Sequence, residues 1–352
     1  MGLVLALALA LWGLGALMKA SYAARWAMIA MLYLGVLAVH VVMPAGHPLR
    51  MTIGGTREGW LALGVIVALI AGYRVVLGAL RRGARRRARP PAEPPAAPGA
   101  FRPAELDRYA RHIVLREIGG PGQRRLKDAK VLVIGAGGLG SPALLYLGAA
   151  GVGTLGVIDD DTVDASNLQR QVIHDDARIG MPKVFSAKQA LAAQNPFVEI
   201  RPYNRRLDEE TAEALFADYD LILDGSDNFA TRYLANRVAA RLGKPLVAAA
   251  ISQWEGQISL YDPAGGTPCY ECIFPAAPAA GLAPSCAEAG VVGALPGVLG
   301  AMMAVEAIKH VTGAGETLRG RMLIYDALYA ETRQIALGKR PDCPICGGGQ
   351  AG

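Results

Sequence analysis

The first quarter of the chain has a hydrophobic pattern unlike that of the rest. Three apolar runs, residues 3–18, 26–43 and 60–80, are separated by short polar stretches, and the last two approach the roughly 20 residues that cross a bilayer. No basic segment precedes residue 3, which argues against a cleaved signal peptide. We therefore expect a membrane region over residues 1–89 with about three transmembrane helices.

From residue 101 onward, short apolar runs alternate with helical stretches. Strands are predicted at 131–134, 154–158, 198–201, 221–223 and 246–250, and helices at 183–194, 209–217 and 228–242. This alternation predicts an α/β fold with a Rossmann-like, doubly wound and mostly parallel sheet. An antiparallel C-terminal extension is predicted at 256–261, 322–326 and 329–336, with an apolar helix at 295–311 between its strands.

Most of the positive charge lies beside the apolar runs. The formal net charge is +6, but residues 1–89 hold 11 Lys or Arg and one acid, a balance of +10, which leaves −4 for the remainder. Six arginines follow the third run: Arg81, Arg82, Arg85, Arg86, Arg87 and Arg89. The positive-inside rule places this cluster in the cytoplasm, beside anionic membrane lipid. The acidic remainder gives no reason to expect a nucleic-acid partner.

A proline-rich stretch, PPAEPPAAPGA at 90–100, follows the arginines. It predicts a semi-rigid linker that could extend roughly 30 Å at about 3.1 Å per residue. The expected organisation is therefore a membrane region at 1–89, a linker at 90–100 and a domain at 101–352.

The first predicted strand of that domain ends in a glycine-rich turn. Four glycines precede the next helical stretch: Gly135, Gly137, Gly138 and Gly140. Glycine allows positive φ and close approach of backbone N–H groups to phosphate, and the helix that follows directs its positive dipole end at the same point. Asp159 ends the second strand, near the distance at which an acid meets a ribose hydroxyl. A nucleotide site is predicted here.

The glycine turn alone fits a nicotinamide or flavin enzyme as well as an ATP-using one, but two cations follow it. Arg170 lies after the second strand and Lys183 opens the next helix, where they can stabilise charge on departing pyrophosphate. Asn167 and Gln171 flank Arg170. Asp227 and Asn228 follow the strand at 221–223; Asp227 could hold Mg²⁺, cap the next helix, or do both.

The five cysteines are specifically spaced. Cys269 and Cys272 form one Cys-x-x-Cys pair, and Cys343 and Cys346 form another, which together can supply four thiolates to one structural Zn²⁺. Two disulfides are the alternative, disfavoured in the reducing cytosol. Cys286 is left over, just after a proline- and alanine-rich stretch at 275–284.

These motifs resemble the ThiF/MoeB/HesA family, relatives of the ubiquitin-activating enzymes, and within it the molybdopterin-synthase adenylyltransferase type. The resemblance runs from about Leu106 to Cys346 and includes Arg108-Tyr109, Arg111-His112, GAGGLG at 135–140, Asp159 with Asp161, NLQRQ at 167–171, Lys183, Asp227-Asn228, Glu255-Gly256-Gln257, the cysteine quartet and Cys286. It implies ATP-dependent adenylation of the C-terminal Gly-Gly carboxylate of a ubiquitin-like sulfur-carrier protein. The membrane region departs from the usual soluble member.

Individual roles follow from the resemblance. Asp159 would bind ribose, Asn167, Arg170 and Lys183 the phosphates, and Asp227 the Mg²⁺. Arg111 would reach the ATP of a second subunit, which implies a homodimer. In some relatives the cysteine at the position of Cys286 links to the carrier as a thioester or persulfide, whereas molybdopterin-type members do without it. No general base is needed, because the attacking carboxylate is already ionised at neutral pH; His112 and His174 are interpreted as structural.

Three alternatives stay open. Another carboxylate could be adenylated, as in the tRNA threonylcarbamoyladenosine dehydratases, although a tRNA substrate favours a basic surface. A NAD-dependent oxidoreductase would use the glycine turn and Asp159 but gives no purpose to Arg170 or Lys183. A membrane scaffold could bind nucleotide without turnover. The carrier and its pathway, whether molybdopterin, thiamine, cysteine or tRNA, are not identified by these residues.

Overall fold

A computed structural model of the chain describes residues 2–87, 100–278 and 289–347, with the backbone alone for 82–87. The chain divides into two compact units, Met1–Ala92 and Glu93–Gly352. The division falls in the stretch predicted as a linker. Residues 90–99 of that stretch, Arg89 and Cys286 lie outside the described residues.

The first unit is helical. It contains α1 (Gly2–Leu17), α2 (Tyr22–Val42), α3 (Pro48–Ile53) and α4 (Arg57–Arg87). By length and composition α2 and α4 can each cross a membrane, whereas α1 is equally apolar but has only 16 residues. Two of the three expected spans are therefore candidates by length and composition.

Trp60 joins α2 to α4. Its ring is buried, and its backbone carbonyl accepts a hydrogen bond from the Tyr33 hydroxyl at 2.7 Å. The indole N–H donates to the Gly54 carbonyl at 3.0 Å, and the ring lies 6.0 Å from that of the buried His40. Buried indole and phenol groups need such partners, so these bonds fix how the two helices meet.

The second unit is built on an eight-stranded mixed sheet. Its strands are β1 (Lys130–Ile134), β2 (Thr154–Ile158), β3 (Glu199–Tyr203), β4 (Leu221–Asp224), β5 (Leu246–Ile251), β6 (Glu255–Tyr261), β7 (Arg321–Asp326) and β8 (Glu331–Ala336). The order is β3-β2-β1-β4-β5-β6-β7-β8; β1 to β5 are parallel, and β6 to β8 are antiparallel. The predicted α/β fold with an antiparallel extension is confirmed.

Helices cover both faces of this sheet. They are α5 (Pro103–Ile113), α6 (Gly119–Asp128), α7 (Gly140–Ala150), α8 (Lys183–Gln194), α9 (Glu209–Ala217), α10 (Phe229–Arg241), α11 (Tyr270–Ile273) and α12 (Ala294–Thr312). Val131 and Val133 of β1 pack in one buried cluster with residues of α7, α8 and α12, while Leu132 and Ile134 pack in a second with residues of α9 and α10. A strand buried on both faces explains the continuous apolar run in the sequence.

The apolar helix α12 belongs to this core. It is also long and apolar enough to cross a membrane, but Leu299 and Met303 are fully buried against the sheet and α7. Composition alone does not separate a buried core helix from a span, and packing decides the matter here.

The predicted start of the last strand is wrong. The last strand begins at Glu331, two residues later than predicted, because the Asp326 carboxylate accepts hydrogen bonds from the backbone N–H groups of Leu328 and Tyr329 at 2.9 and 3.1 Å. Ala330 then turns through a positive φ of 56°. The tight turn therefore includes residues whose polar and apolar side chains alternate as they would in a strand.

Candidate active site

A cleft of about 800 Å³ opens at the carboxyl edge of the parallel strands. The strand order reverses between β1 and β4, which is where open α/β sheets bind ligands. The cleft brings together nine residues expected from the sequence: Gly135, Gly137, Gly138, Asp159, Arg170, Gln171, Lys183, Asp227 and Asn228.

The glycine turn crosses from β1 to α7. Gly135 has a φ of 87°, which favours glycine. A Cβ at Gly140 would lie 1.8 Å from the Gly135 carbonyl oxygen, so only glycine allows the turn to close and α7 to begin there. Gly140 is therefore needed for the shape of the turn, although it does not itself line the cleft. The N-terminus of α7 points the positive end of the helix dipole at the cleft.

Asp159 is tied to the glycine turn. Its carboxylate accepts hydrogen bonds from the Ala136 N–H at 2.8 Å and the Asp161 N–H at 2.9 Å. Burial raises the pKa of Asp159, and the positive charge of Lys183 acts in the opposite direction. These bonds hold the carboxylate at the cleft wall as an acceptor for a ligand hydroxyl.

Lys183 is a buried cation with one exposed partner. Its side chain is 6% exposed, and Nζ donates to Asp161 Oδ2 at 2.7 Å, where the Asp161 side chain is 68% exposed. The Lys183 backbone N–H also donates to the Asp161 carbonyl at 2.9 Å. Asp161 thus orients Lys183 into the cleft and leaves further ammonium donors for an anion.

Arg170 is oriented by Asn167. The guanidinium donates to Asn167 Oδ1 at 2.8 Å and weakly to the Ser166 carbonyl at 3.4 Å. Asn167 is half-buried and is not one of the cleft-lining residues, so its contact with the cleft runs through Arg170. Gln171 lines the cleft but is 5% exposed, and its Oε1 has no hydrogen-bond partner within the described residues.

Of the two functions predicted for Asp227, capping of the next helix belongs to its neighbour Asn228. Asn228 is the N-cap of α10, and its side chain accepts the Thr231 N–H at 2.9 Å. Asp227 is exposed at the cleft, and no described residue forms a hydrogen bond or ion pair with its carboxylate. It is available to a ligand or cation.

His174 and His112 have structural roles, as interpreted. His174 is buried beneath the glycine turn, where Nε2 donates to the Ala136 carbonyl at 2.9 Å and Nδ1 accepts from the Ser186 hydroxyl at 2.8 Å. Burial lowers the pKa of His174, which favours this neutral form. His112 contacts Gln123 Oε1 at 3.3 Å.

Several cleft residues were not anticipated. Arg205 and Arg206 follow β3, and Arg232 lies on α10, where it donates to the Ser226 carbonyl at 2.5 Å. Aromatic side chains form another part of the wall: Tyr233, Tyr270 and Phe274. The rings of Tyr270 and Phe274 lie 4.8 Å apart, and the Tyr233 hydroxyl donates to the Phe274 carbonyl at 2.9 Å. The adjacent arginines after β3 were the one sequence signal that could have indicated this end of the cleft.

The four paired cysteines converge beside this aromatic wall. Sulfur distances are 3.9 Å for Cys269 to Cys272, 3.6 Å for Cys269 to Cys343 and 3.3 Å for Cys272 to Cys346, and all four sulfurs lie within 4.8 Å of one another. A tetrahedral zinc with Zn–S bonds of about 2.3 Å needs sulfurs about 3.8 Å apart. All four are free thiols, so the disulfide alternative does not match the structure.

Arg111 lies away from the cleft of its own chain. The residues around it on α5 pack at the opposite, amino edge of the sheet: the Tyr109 hydroxyl accepts from Asn195 at 2.9 Å, and Arg108 donates to the Gln194 carbonyl at 2.9 Å. Arg111 itself is exposed and is not among the cleft-lining residues.

Comparison with known proteins gives consistent matches. The ThiF family model matches residues 109–345. The chain is 50% identical over 249 residues to the sulfur carrier protein adenylyltransferase of Thermus thermophilus, covering 69% of this chain and 91% of that protein. It is 48% identical over 245 residues to the SAMP-activating enzyme E1 of Haloferax volcanii, covering 70% and 90%.

A longer relative is the probable adenylyltransferase/sulfurtransferase MoeZ of Mycobacterium tuberculosis, 51% identical over 243 residues. That match covers 68% of this chain but only 62% of MoeZ. Among solved structures, E. coli MccB with MccA-N7isoASN gives a TM-score of 0.61 at 24% identity, covering 68% of this chain and 74% of MccB. PaaA gives 0.60 at 22%, covering 76% and 83%. These two likenesses concern the fold.

Proposed function

The chain belongs to the ThiF family, and on that premise we propose that it is an ATP-dependent adenylyltransferase for a ubiquitin-like sulfur-carrier protein. It activates the C-terminal Gly-Gly carboxylate of the carrier as an acyl-adenylate. The names of two relatives, a sulfur carrier protein adenylyltransferase and a SAMP-activating enzyme, support this substrate class.

The observation that carries the proposal is the pairing of two cations with a free carboxylate in one cleft. Arg170 and Lys183 lie on one side of the glycine turn, and Asp227 lies at the end of β4 on the other. A nicotinamide oxidoreductase has no use for two cations at this point. Adenylation needs them, because an anionic carboxylate must approach an anionic triphosphate.

The reaction requires alignment and charge stabilisation. A carboxylate oxygen of the carrier attacks the α-phosphorus of ATP, the bond to the β-phosphate oxygen breaks, and pyrophosphate leaves with that electron pair. Lys183 and Arg170 stabilise the negative charge that accumulates on the leaving group. The glycine turn and α7 hold phosphate oxygens, and Asp159 holds the ribose. No described residue has to remove a proton, since the carboxylate is already ionised.

Asp227 would hold Mg²⁺. Its exposed carboxylate, without a described partner, fits the oxygen ligand that Mg²⁺ prefers beside phosphates. When bound, the ion supplies additional neutralisation of phosphate charge.

The four cysteine sulfurs would hold a structural Zn²⁺. The closed set of four thiolates leaves no ligand position for water, which assigns the ion to stability. Cys343 follows Cys272 by 71 positions, so the ion would fasten the C-terminal segment to α11 and the aromatic wall.

Arg111 would complete the site of a second subunit. Its place on α5, at the amino edge, separates it from the cleft of its own chain. A homodimer in which each α5 supplies an arginine to its partner's cleft accounts for an exposed arginine so far from the chemistry.

The first unit would anchor the enzyme in a membrane. Helices α2 and α4 have the necessary length and apolar composition, and the arginines at the end of α4 would lie on the cytoplasmic side, near anionic lipid and ATP. The full-length chain should then stay in the membrane pellet in alkaline carbonate. Its release by carbonate or salt without detergent would refute the anchor.

Adenylation of another carboxylate, as in the tRNA threonylcarbamoyladenosine dehydratases, has less support because residues 90–352 carry a charge of −4, which is +6 minus the +10 of residues 1–89. A covalent link between Cys286 and the carrier stays a prediction. It is tested by looking for a thioester or persulfide adduct that the Cys286→Ser variant fails to form.

ATP–pyrophosphate exchange by the full-length chain in detergent tests the main proposal. Exchange should depend on a carrier ending in Gly-Gly and disappear in Asp227→Ala. The matched control is Asp218→Ala, which changes an exposed acid at the end of α9. Nicotinamide binding without any exchange would overturn the proposal.

A further inference from the structure

Two arginines in the cleft have no part in the chemistry described above. Arg205 and Arg206 follow β3, and both are exposed at the cleft wall. Lys183 and Arg232 are held by Asp161 and Ser226, but neither Arg205 nor Arg206 has a side-chain hydrogen bond or ion pair to any residue that the structure describes. Their guanidinium groups are free to meet a ligand.

Their position in the sheet places them beyond the ribose end of the cleft. The Asp159 N–H donates to the carbonyl of Tyr203, the last residue of β3, at 3.3 Å. β3 lies two strands from β1 and three from β4. With strands about 4.8 Å apart, the arginine pair begins about 10 Å from the glycine turn and further from Asp227. The base of a nucleotide lies closer to this position than its phosphates do.

The neighbouring wall is apolar. Ile134, Ile158 and Leu207 line the cleft and belong to one buried cluster. Arg206 lines the same cleft, so a planar cation and an apolar floor are both available to one ligand. A flat heteroaromatic ring fits between two such surfaces, because it loses little hydration on the apolar side and attracts a cation to its other face.

The two arginines have different surroundings. Hydrogen bonds from Thr211 lower the pKa of Asp208, and the charge of Arg205 lowers it further. Arg205 is thus close to an acid on the side of α9, whereas Arg206 adjoins Leu207 of the apolar cleft wall in the chain. Arg206 is the better placed of the two to serve a ligand.

We propose that Arg206 is a positioning residue for the nucleotide, which stacks its guanidinium on the purine ring and holds it against Ile134, Ile158 and Leu207. The proposal rests on the proposed function, since it takes ATP as the ligand. A guanidinium is flat and weakly hydrated, so it can stack plane to plane on a ring, which the tetrahedral ammonium of lysine cannot do.

The test separates stacking from charge. In carrier-dependent exchange by the full-length chain, Arg206→Ala should raise KM for ATP about 3- to 30-fold and leave kcat within about twofold. Arg206→Lys keeps the positive charge but lacks the planar guanidinium, and it should raise KM for ATP to a similar extent. KM for pyrophosphate, which has no base, should not change. Arg201→Ala is the control, since Arg201 is a half-buried arginine paired with Glu199 on β3 and does not line the cleft.

Three results would overturn the proposal: unchanged KM for ATP in Arg206→Ala, full recovery in Arg206→Lys, or an equal rise in KM for pyrophosphate. If the wild-type chain shows no exchange, the proposed function itself fails. In that case, the ATP affinities of the wild type and of Arg206→Ala, measured by calorimetry, test the stacking contact independently of turnover. Equal affinities would exclude the contact.

Discussion

Lys183 Nζ and Asp161 Oδ2 lie 2.7 Å apart, joining the first residue of α8 to the loop after β2. The lysine is buried while the aspartate is largely exposed. A buried ammonium without its anion is unfavourable, so Asp161 holds Lys183 in place and directs its ammonium group at the cleft wall.

Asp161→Asn should therefore reduce kcat/KM in carrier-dependent exchange by about 10- to 100-fold, the effect of one lost charge-assisted hydrogen bond. The reason is misdirection of Lys183, so the effect should vanish in a Lys183→Ala background. The control is Asp176→Asn, at an exposed position after β2. Additive losses in the double variant would show that the two residues act independently.

Gly140→Ala should unfold the glycine turn. The added methyl would lie 1.8 Å from the Gly135 carbonyl oxygen, and both atoms belong to rigid backbone. We expect a loss of ATP binding together with a destabilisation of about 3 kcal/mol or more, measured by thermal unfolding. A Cβ at Gly137 would meet nothing closer than 3.8 Å, so Gly137→Ala should leave the Tm almost unchanged. A stable Gly140→Ala protein would contradict the proposed closure of the turn.

The freshly purified full-length chain should contain close to one zinc per chain. Cys343→Ser should lose the metal and lower the Tm, because a closed thiolate site stabilises the fold. Since α11 carries both Cys272 of the quartet and Tyr270 of the aromatic wall, loss of metal should also raise KM for ATP. Plasma emission spectrometry gives the metal content, and less than half an equivalent in the wild type would count against the site.

Variants of Arg111 can test whether each active site is formed by two subunits. Arg111→Ala and Asp227→Ala should each abolish exchange alone. Coexpressed in equal amounts, they should recover about a quarter of wild-type activity, since half the dimers are mixed and each mixed dimer holds one intact site. If Arg111 served its own chain, no combination of these subunits would contain an intact site, and the mixture would stay inactive.

His174 should make the glycine turn sensitive to acid. Burial depresses the pKa of His174 in the folded state below its value of about 6.5 in the unfolded chain. Its contribution to stability is complete above pH 6.5 and is lost as the pH falls through the folded pKa, by at most about 1.4 kcal/mol per pH unit. Unfolding of the wild type and of His174→Asn should be compared from pH 8 to pH 5. Parallel profiles would exclude this origin.

Much of the fold and part of the site followed from local pattern. The apolar runs that became β1, β2, β4 and β5, the glycine turn and the two cysteine pairs are all short-range features. They report backbone conformation and ligand spacing over a few residues, and such information is complete within the segment itself.

Other features were misjudged or missed because they depend on packing. Asn228, and not Asp227, caps α10, since the direction in which the chain enters the helix selects one of two suitable neighbours. A strand was predicted from residue 329, where the Asp326 carboxylate instead holds a turn. The hydrogen bond from Arg170 to Asn167 was likewise not predicted, since it depends on how the loop folds.

The sequence by itself determined which segments become the eight strands, where the glycine turn lies and how the cysteines are paired along the chain, since each is encoded by neighbouring residues. Only the tertiary structure decided that α12 is a core helix, that Arg205 and Arg206 share a cleft with Asp227, and that Arg111 lies away from it. These relationships depend on strand order and helix packing, which bring together residues far apart in the chain. No local pattern records that proximity.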